Sequence, residues 1–361
     1  MNKDLAEIQY LYTPGPVPIP APVQQAMKAV PIHHRSEQFT ALYKSLQSGL
    51  QGLFLTQHPV LLIPGNGSGV FQTVLASLFN AGDKVIVINN GKFGKRWALV
   101  SEYLGFDIEE VIYPWGEYPS STDDWVTNIA KLAPKGVILV HSETSTATVC
   151  DLESIAWTLR QQCPETIIVA DTLTSVGIIP FYMDAWGIDV AVTTSQKALE
   201  APAGAGFVAI SPNAIQHLKP STGYNAFSLY SALEAHYKNE VMSTPTTQIL
   251  MGVDASLTSI HQETLPIRWN RVHTRASHFR TELRNMGATL PSSQPADGLT
   301  AFSFPEINMS DLRKQLILKG YLLEGGQDHW AGKILRVAHW NYYDLKRDEE
   351  LLKIINHLIH A

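Results

Sequence analysis

Between about residues 58 and 211, short apolar runs alternate with longer stretches whose apolar residues recur at helical spacing. No other feature restricts the fold as tightly. Val60-Leu61-Leu62-Ile63 precedes a helical pattern from Val70 to Leu78, and Lys84-Val85-Ile86-Val87-Ile88 precedes one from Lys95 to Leu104. Val137-Ile138-Leu139-Val140 is followed by a pattern from Leu152 to Gln162, then by Thr166-Ile167-Ile168-Val169-Ala170. Val190-Ala191-Val192-Thr193 and Phe207-Val208-Ala209-Ile210 complete the series. Runs that are apolar throughout, with no polar alternation, are strands covered on both faces, as in mostly parallel sheets. Strand–helix alternation on this scale predicts an α/β doubly wound domain.

The remainder differs in texture. Residues 1–22 form a Pro-rich arm containing Thr13-Pro14-Gly15-Pro16-Val17-Pro18-Ile19-Pro20, which excludes regular helix or central strand. After Thr244-Pro245 a long helical stretch runs to about Met286, and a smaller α+β segment follows. At 361 residues the chain exceeds one ordinary domain of roughly 150. The expected division is an arm at 1–22, a large domain at 23–250 and a small C-terminal domain at 251–361. With 45% hydrophobic and 17% charged residues the chain can bury a large core, so disorder is excluded as the main state.

A net charge of −6 without any basic tract argues against nucleic acid or an anionic membrane as partner. No basic head followed by an apolar run opens the chain, and the apolar runs fall well short of the roughly 20 residues that span a bilayer. Two cysteines, Cys150 and Cys163, supply neither a disulfide framework nor a Cys-rich metal cluster. A cytoplasmic protein without a metal is the expectation.

Three features bear on chemistry. Ile63-Pro64-Gly65-Asn66-Gly67-Ser68-Gly69 joins a strand to a helix, where backbone N–H groups favour an anion such as phosphate. A dinucleotide fingerprint fails at Val70 and at Asn89-Asn90, and no Gly-Lys-Ser/Thr follows, so the loop is either a phosphate cradle or a plain tight turn. Asp171 ends an apolar strand, the end at which open α/β sheets bind ligands; a loop anchor is the alternative. Lys197 follows the next strand among small residues, where desolvation can turn its amine into a nucleophile; a solvated loop lysine is the alternative. Together they match what pyridoxal phosphate requires: a phosphate site, a lysine amine and a carboxylate opposite the pyridine nitrogen.

Asn90-Gly91-Lys92-Phe93-Gly94-Lys95-Arg96-Trp97, His141-Ser142-Glu143-Thr144-Ser145-Thr146, Asp171-Thr172-Leu173-Thr174-Ser175 and Ser195-Gln196-Lys197 occur in that order. They resemble the class V aminotransferases of the alanine–glyoxylate and serine–pyruvate group, from Thr13 to Arg336. The resemblance implies the fold-type I architecture: a large, mostly parallel but mixed sheet domain with a smaller α+β domain. It implies that Lys197 holds pyridoxal phosphate covalently and shuttles a proton, and that Asp171 pairs with the ring nitrogen. Phe93 and Leu173 would flank the ring and Thr144 would lie beside it. Asn66, Gly67, Ser68 and Gln196 would reach the phosphate. Thr244 would reach the phosphate of a neighbouring subunit, which implies a homodimer. Arg336 would grip the amino-acid carboxylate, with Gly15 and Arg35 also facing the substrate. Without the family, Arg336 reads equally as a structural ion pair.

The pattern departs at Ala147, where glycine is usual, at Ala338 and Asn341, and at Val241. The implied reaction is ping-pong transfer of an amino group from alanine or serine to glyoxylate or pyruvate. Alternatives are 2-aminoethylphosphonate–pyruvate transamination and a non-catalytic binding subunit of the same fold. A desulfurase is excluded, since no cysteine follows Cys163 to act as its thiol.

Overall fold

The computed structural model describes residues 8–220 and 225–360. The apolar runs become strands, and the helices lie between them. After helix α1 (Glu37–Phe54) come β1 (Val60–Gly65), α2 (Gly67–Leu78), β2 (Lys84–Asn89), α3 (Lys92–Tyr103) and β3 (Asp107–Ile112). Then follow β4 (Gly136–Val140), α4 (Leu152–Gln162), β5 (Ile167–Asp171), β6 (Val190–Thr194) and β7 (Gly204–Ile210). These seven strands form one sheet in the order β1-β7-β6-β5-β4-β2-β3. Every ladder is parallel except those of β7, which runs antiparallel to both β1 and β6. The sheet is therefore mixed but mostly parallel.

The lack of polar alternation has a direct structural cause. Within β2 and β5 successive side chains point to opposite faces, and both faces are dry. Ile86, Ile88, Ile168 and Ala170 pack with residues of α1 and α4, whereas Val85, Val87, Ile167 and Val169 pack with residues of α2 and with Trp97 of α3. Each such buried Val or Ile contributes about 1.5–3 kcal/mol. Strand β3 did not register in the sequence because Asp107-Ile108-Glu109-Glu110-Val111-Ile112 is half polar. It sits at the sheet edge, pairs only with β2 and stays largely half-exposed.

The single long helix expected after Thr244 is two helices, α5 (Thr247–Glu263) and α6 (Leu265–Asn285). Thr264 between them takes φ +66° and Pro266 lies in the first turn of α6. Proline lacks the N–H that a continuous helix needs and clashes with the preceding turn. The expected boundary after residue 250 thus falls inside α5. Leu250, Val253, Leu257 and Ile260 of α5 belong to the large core, so we place the division at the α5–α6 junction.

Beyond it, α6, α7 (Met309–Leu318) and α8 (Leu345–Ile359) cover a three-stranded antiparallel sheet. Its strands are β8 (Leu299–Phe302), β9 (Glu324–Gly325) and β10 (Leu335–Ala338), in the order β8-β10-β9. The N-terminal arm joins this unit rather than standing apart. Tyr10 and Leu11 pair in parallel with Tyr321 and Leu322, and Tyr12 is fully buried in the small core. The Tyr12 hydroxyl donates to Asp348 Oδ1 at 3.0 Å, and Arg275 Nε and Nη2 bind both oxygens of Asp348 at 2.7 and 2.8 Å. Asn341, one departure from the family pattern, accepts from the same guanidinium at 3.0 Å through Oδ1. No helix among the described residues is long and apolar enough to cross a membrane.

Removing one partner of a fully buried pair leaves an uncompensated charge. Asp348→Ala should therefore cost about 3–5 kcal/mol, read from urea unfolding. A loss below about 1 kcal/mol, the range of an exposed pair, would contradict the buried network.

Candidate active site

The site grows from the carboxyl ends of β4, β5 and β6. Asp171, the last residue of β5, is only 4% exposed. Trp97 Nε1 donates to its Oδ2 at 3.0 Å and the Leu173 backbone N–H donates to Oδ1 at 3.1 Å. Trp97 is held by stacking on Phe71, with ring centroids 3.9 Å apart. Burial pushes the Asp171 carboxyl up to about 6, with Glu143 adding to the rise; the two hydrogen bonds and the Lys197 charge pull the other way.

Lys197 lies in the tight turn after β6, and its Nζ donates to the Pro14 carbonyl at 2.8 Å. Burial lowers the amine to about 8. Arg336 and Arg96 reinforce that lowering, while the carboxylates of Asp171 and Glu324 oppose it. Gly15 sits against this amine with φ +136°, and a Cβ there would lie 2.7 Å from Nζ. Backbone conformation and space together require glycine. Lys197, Asp171, Phe93, Thr144 and Leu173 line one cavity.

Two supports were not assigned roles from sequence. Trp97 is one. The other is Glu143, fully buried at the start of α3. Its Oε2 accepts from the N–H groups of Phe93 and Gly94 at 2.9 and 3.1 Å, and its Oε1 from the N–H and hydroxyl of Ser145 at 2.9 and 2.6 Å. A carboxylate there satisfies orphan amides and meets the positive end of the helix. Burial raises its carboxyl above the ordinary range against those hydrogen bonds. By capping α3 it fixes Phe93 at the cavity wall. The readable signal was a carboxylate just past an apolar strand with a serine two residues on.

Arg336 in β10 is buried, with Nε and Nη2 on the Gly325 carbonyl at 2.9 and 2.7 Å and Nη1 on the Thr144 carbonyl at 2.7 Å. Its partners are carbonyls, and no ion pair to it occurs among the described residues, so the structural ion-pair alternative does not hold. Of five guanidinium N–H groups these bonds take three, and two are left for a planar acceptor. Burial lowers its pKa, offset by the nearby Glu324 and Glu143 charges.

The remaining candidates divide. Gly67 lies against Leu173: a Cβ there would be 2.7 Å from the leucine Cδ2. Asn66 caps its own helix, its Oδ1 accepting from the N–H groups of Ser68 and Gly69 at 3.2 and 3.4 Å. It thereby takes two amides that an anion would otherwise use. Arg96 sets its guanidinium over the Phe93 ring, 5.1 Å from the centroid, and reaches the Ser68 hydroxyl at 3.5 Å. The Gln196 side-chain oxygen is buried without a partner. Thr244 lies elsewhere in the chain, lining a separate cavity with Pro64 and Gly204. Arg35 is not drawn in either: it pairs with Glu240 at 3.0 Å, both side chains about half exposed. Ala147 takes φ +58° while buried, a left-handed conformation that explains why glycine suits this position and costs a side-chain-bearing residue about 1–2 kcal/mol.

The aminotransferase class-V family profile matches residues 9–338. A protein of Synechococcus sp. named as the small subunit of a soluble hydrogenase is 31% identical, over 96% of this chain and 91% of the relative. An L-aspartate–glyoxylate aminotransferase of Paracoccus denitrificans is 30% identical, over 91% of this chain and 85% of that protein. The solved structure of an alanine–glyoxylate aminotransferase from Nostoc sp. superposes with a TM-score of 0.91 at 25% identity, covering 99% of this chain and 97% of the other. The chain belongs to the class V aminotransferases, with the fold-type I architecture, and is a transaminase.

If burial sets the amine, site-resolved acylation followed by mass spectrometry of the Lys197 peptide should give a pH midpoint near 8. Asp171→Asn should move it lower still, since the lost negative charge favours the protonated amine. A midpoint in the range of a solvated lysine, about 10.4, would remove the case for an activated amine.

Proposed function

We propose that this transaminase uses pyridoxal phosphate to move the amino group of alanine or serine to glyoxylate or pyruvate in a ping-pong cycle, as a cytoplasmic homodimer. The observation that carries the reading is the lowered amine of Lys197 sharing one cavity with the Asp171 carboxylate, with Arg336 bonded to the cavity wall at Thr144.

The residues present suit the cofactor. Asp171 is positioned by two donors and carries a carboxylate that a ring cation would pair with. The Ser68 hydroxyl at the start of α2 and the N–H donors of the Gln196 side-chain amide are polar groups suited to a phosphate. Phe93 supplies a flat apolar face, fixed by the Glu143 cap. Thr244 would complete the phosphate site from a second subunit, which accounts for its lining a separate cavity within one chain. When bound, pyridoxal phosphate supplies the electron sink that lets the Cα–H bond of an amino acid break.

The chain's own groups then divide the work. The Lys197 amine, lowered to about 8, can in its uncharged form take a proton from Cα and return it. The Pro14 carbonyl holds Nζ in place until that transfer. Arg336 offers its two uncommitted N–H groups to the substrate carboxylate and so fixes which bond faces Lys197.

Purified protein should gain visible absorption on adding pyridoxal phosphate and lose it on adding L-alanine or L-serine. Lys197→Ala should show neither change. Arg336→Lys, which keeps charge but loses the planar fork, should raise the donor KM about 10–100-fold. A Lys197→Ala protein that still transaminates would defeat the assignment, and response only to 2-aminoethylphosphonate would reassign the donor.

A further inference from the structure

Glu324 stands directly across from Arg336. Strands β9 and β10 run antiparallel with Glu324 opposite Arg336 and Gly325 opposite Leu335. Directly opposed residues of such a pair project from the same face, with Cβ atoms about 4.5–5.5 Å apart. On the other flank of Arg336 the opposed residue is Ala301, which offers only a methyl group. The guanidinium is thus flanked by one carboxylate and one apolar neighbour.

The two charges do not pair. Arg336 spends its contacts on the carbonyls of Gly325 and Thr144. Glu324 is half-buried and accepts a hydrogen bond from the Gly325 N–H at 3.2 Å. Its charge is nonetheless felt at both Arg336 and Lys197, favouring the protonated form of each. A carboxylate without a dedicated cation therefore faces the space where a donor held by Arg336 must lie.

Charge counting gives this position a consequence. Arg336 can neutralise one substrate carboxylate. A second carboxylate on the donor would enter the same half-buried space as Glu324. Lys92 is already bound to Asp328 at 2.9 Å, and Arg96 lies over the Phe93 ring. Like charges this close in a partly desolvated site repel strongly.

We propose that Glu324 is a specificity-determining residue that restricts the amino donor to monocarboxylic amino acids with uncharged side chains and excludes acidic ones. This rests on the transaminase reading of the Lys197 site. It separates the chain from its relative named for aspartate, and a hydroxyl-bearing donor such as serine could also donate a hydrogen bond to the carboxylate.

The test compares the donor half-reaction for L-alanine, L-serine and L-aspartate, followed by visible absorption, in wild type and Glu324→Gln. The glutamine keeps the acceptor oxygen for the Gly325 N–H and removes only the charge. Wild type should use aspartate at least about tenfold less efficiently than alanine, and Glu324→Gln should raise the aspartate-to-alanine ratio about tenfold. A readout that needs no turnover is calorimetric binding of succinate and propionate to the cofactor-loaded proteins, where the substitution should improve succinate relative to propionate by a similar factor. Equal use of aspartate and alanine by wild type, or unchanged ratios in Glu324→Gln, would overturn the proposal. If no amino acid alters the wild-type spectrum, the transamination reading fails instead, and the succinate-to-propionate ratio alone decides whether Glu324 filters charge.

Discussion

An acid and an amine, both withdrawn from water at the ends of adjacent strands, impose a desolvation cost that the surrounding structure has to offset. Asp171 rises to about 6 and Lys197 falls to about 8 for the same reason: each resists being charged where it sits. Below the ordinary carboxylate range the acid is neutral in folded and unfolded chains alike. As pH climbs from that range through about 6, its burial progressively weakens the fold, and above about 6 the cost is complete. The amine behaves in mirror fashion, weakening the fold progressively as pH drops from the ordinary lysine range to about 8, below which the cost is complete. Between these values both costs are present in full. A ligand that pairs the carboxylate and consumes the amine's charge would stabilise the protein most in that interval.

That cost explains how thoroughly the site is braced. Trp97 is clamped against Phe71 before it reaches Asp171. Glu143, itself expensive to bury, is tolerated because four donors converge on it, and through it the start of α3 is tied to the end of β4. Gly15 is there because nothing larger fits beside Nζ. These residues hold the reactive pair in an environment that keeps both groups away from their solvent behaviour.

Much of the large sheet was legible because strands buried on both faces read as apolar runs without polar alternation, and the carboxyl ends of such strands are where ligands bind. Asp171 and Lys197 were visible for that reason. Strand β3 was hidden by its edge position, which tolerates Asp107, Glu109 and Glu110. The break between α5 and α6 was foreshadowed by Pro266, yet the amphipathic pattern on either side masked it. Trp97 and Glu143 stood within recognisable motifs, but periodicity does not say which polar atom meets which. Arg336 was ambiguous in sequence because an arginine in an apolar strand can serve an internal carboxylate or an external one. Its carbonyl partners rule out the internal carboxylate. Glu324 could be appreciated only once the register of β9 and β10 placed it opposite Arg336.

The arm that carries the Pro14 carbonyl to Lys197 is anchored through Tyr12 to Asp348, a contact spanning 336 positions of the sequence. Contacts so remote close late, because a long loop must be ordered before they form. During synthesis the first residues of the arm emerge well before α8 exists to receive them. The reactive lysine can be folded into its strand turn by then, yet the backbone that steadies its amine waits for α8. Completion of the site is thus tied to synthesis of α8, and a polypeptide that stops short of it carries the lysine without the brace that holds it.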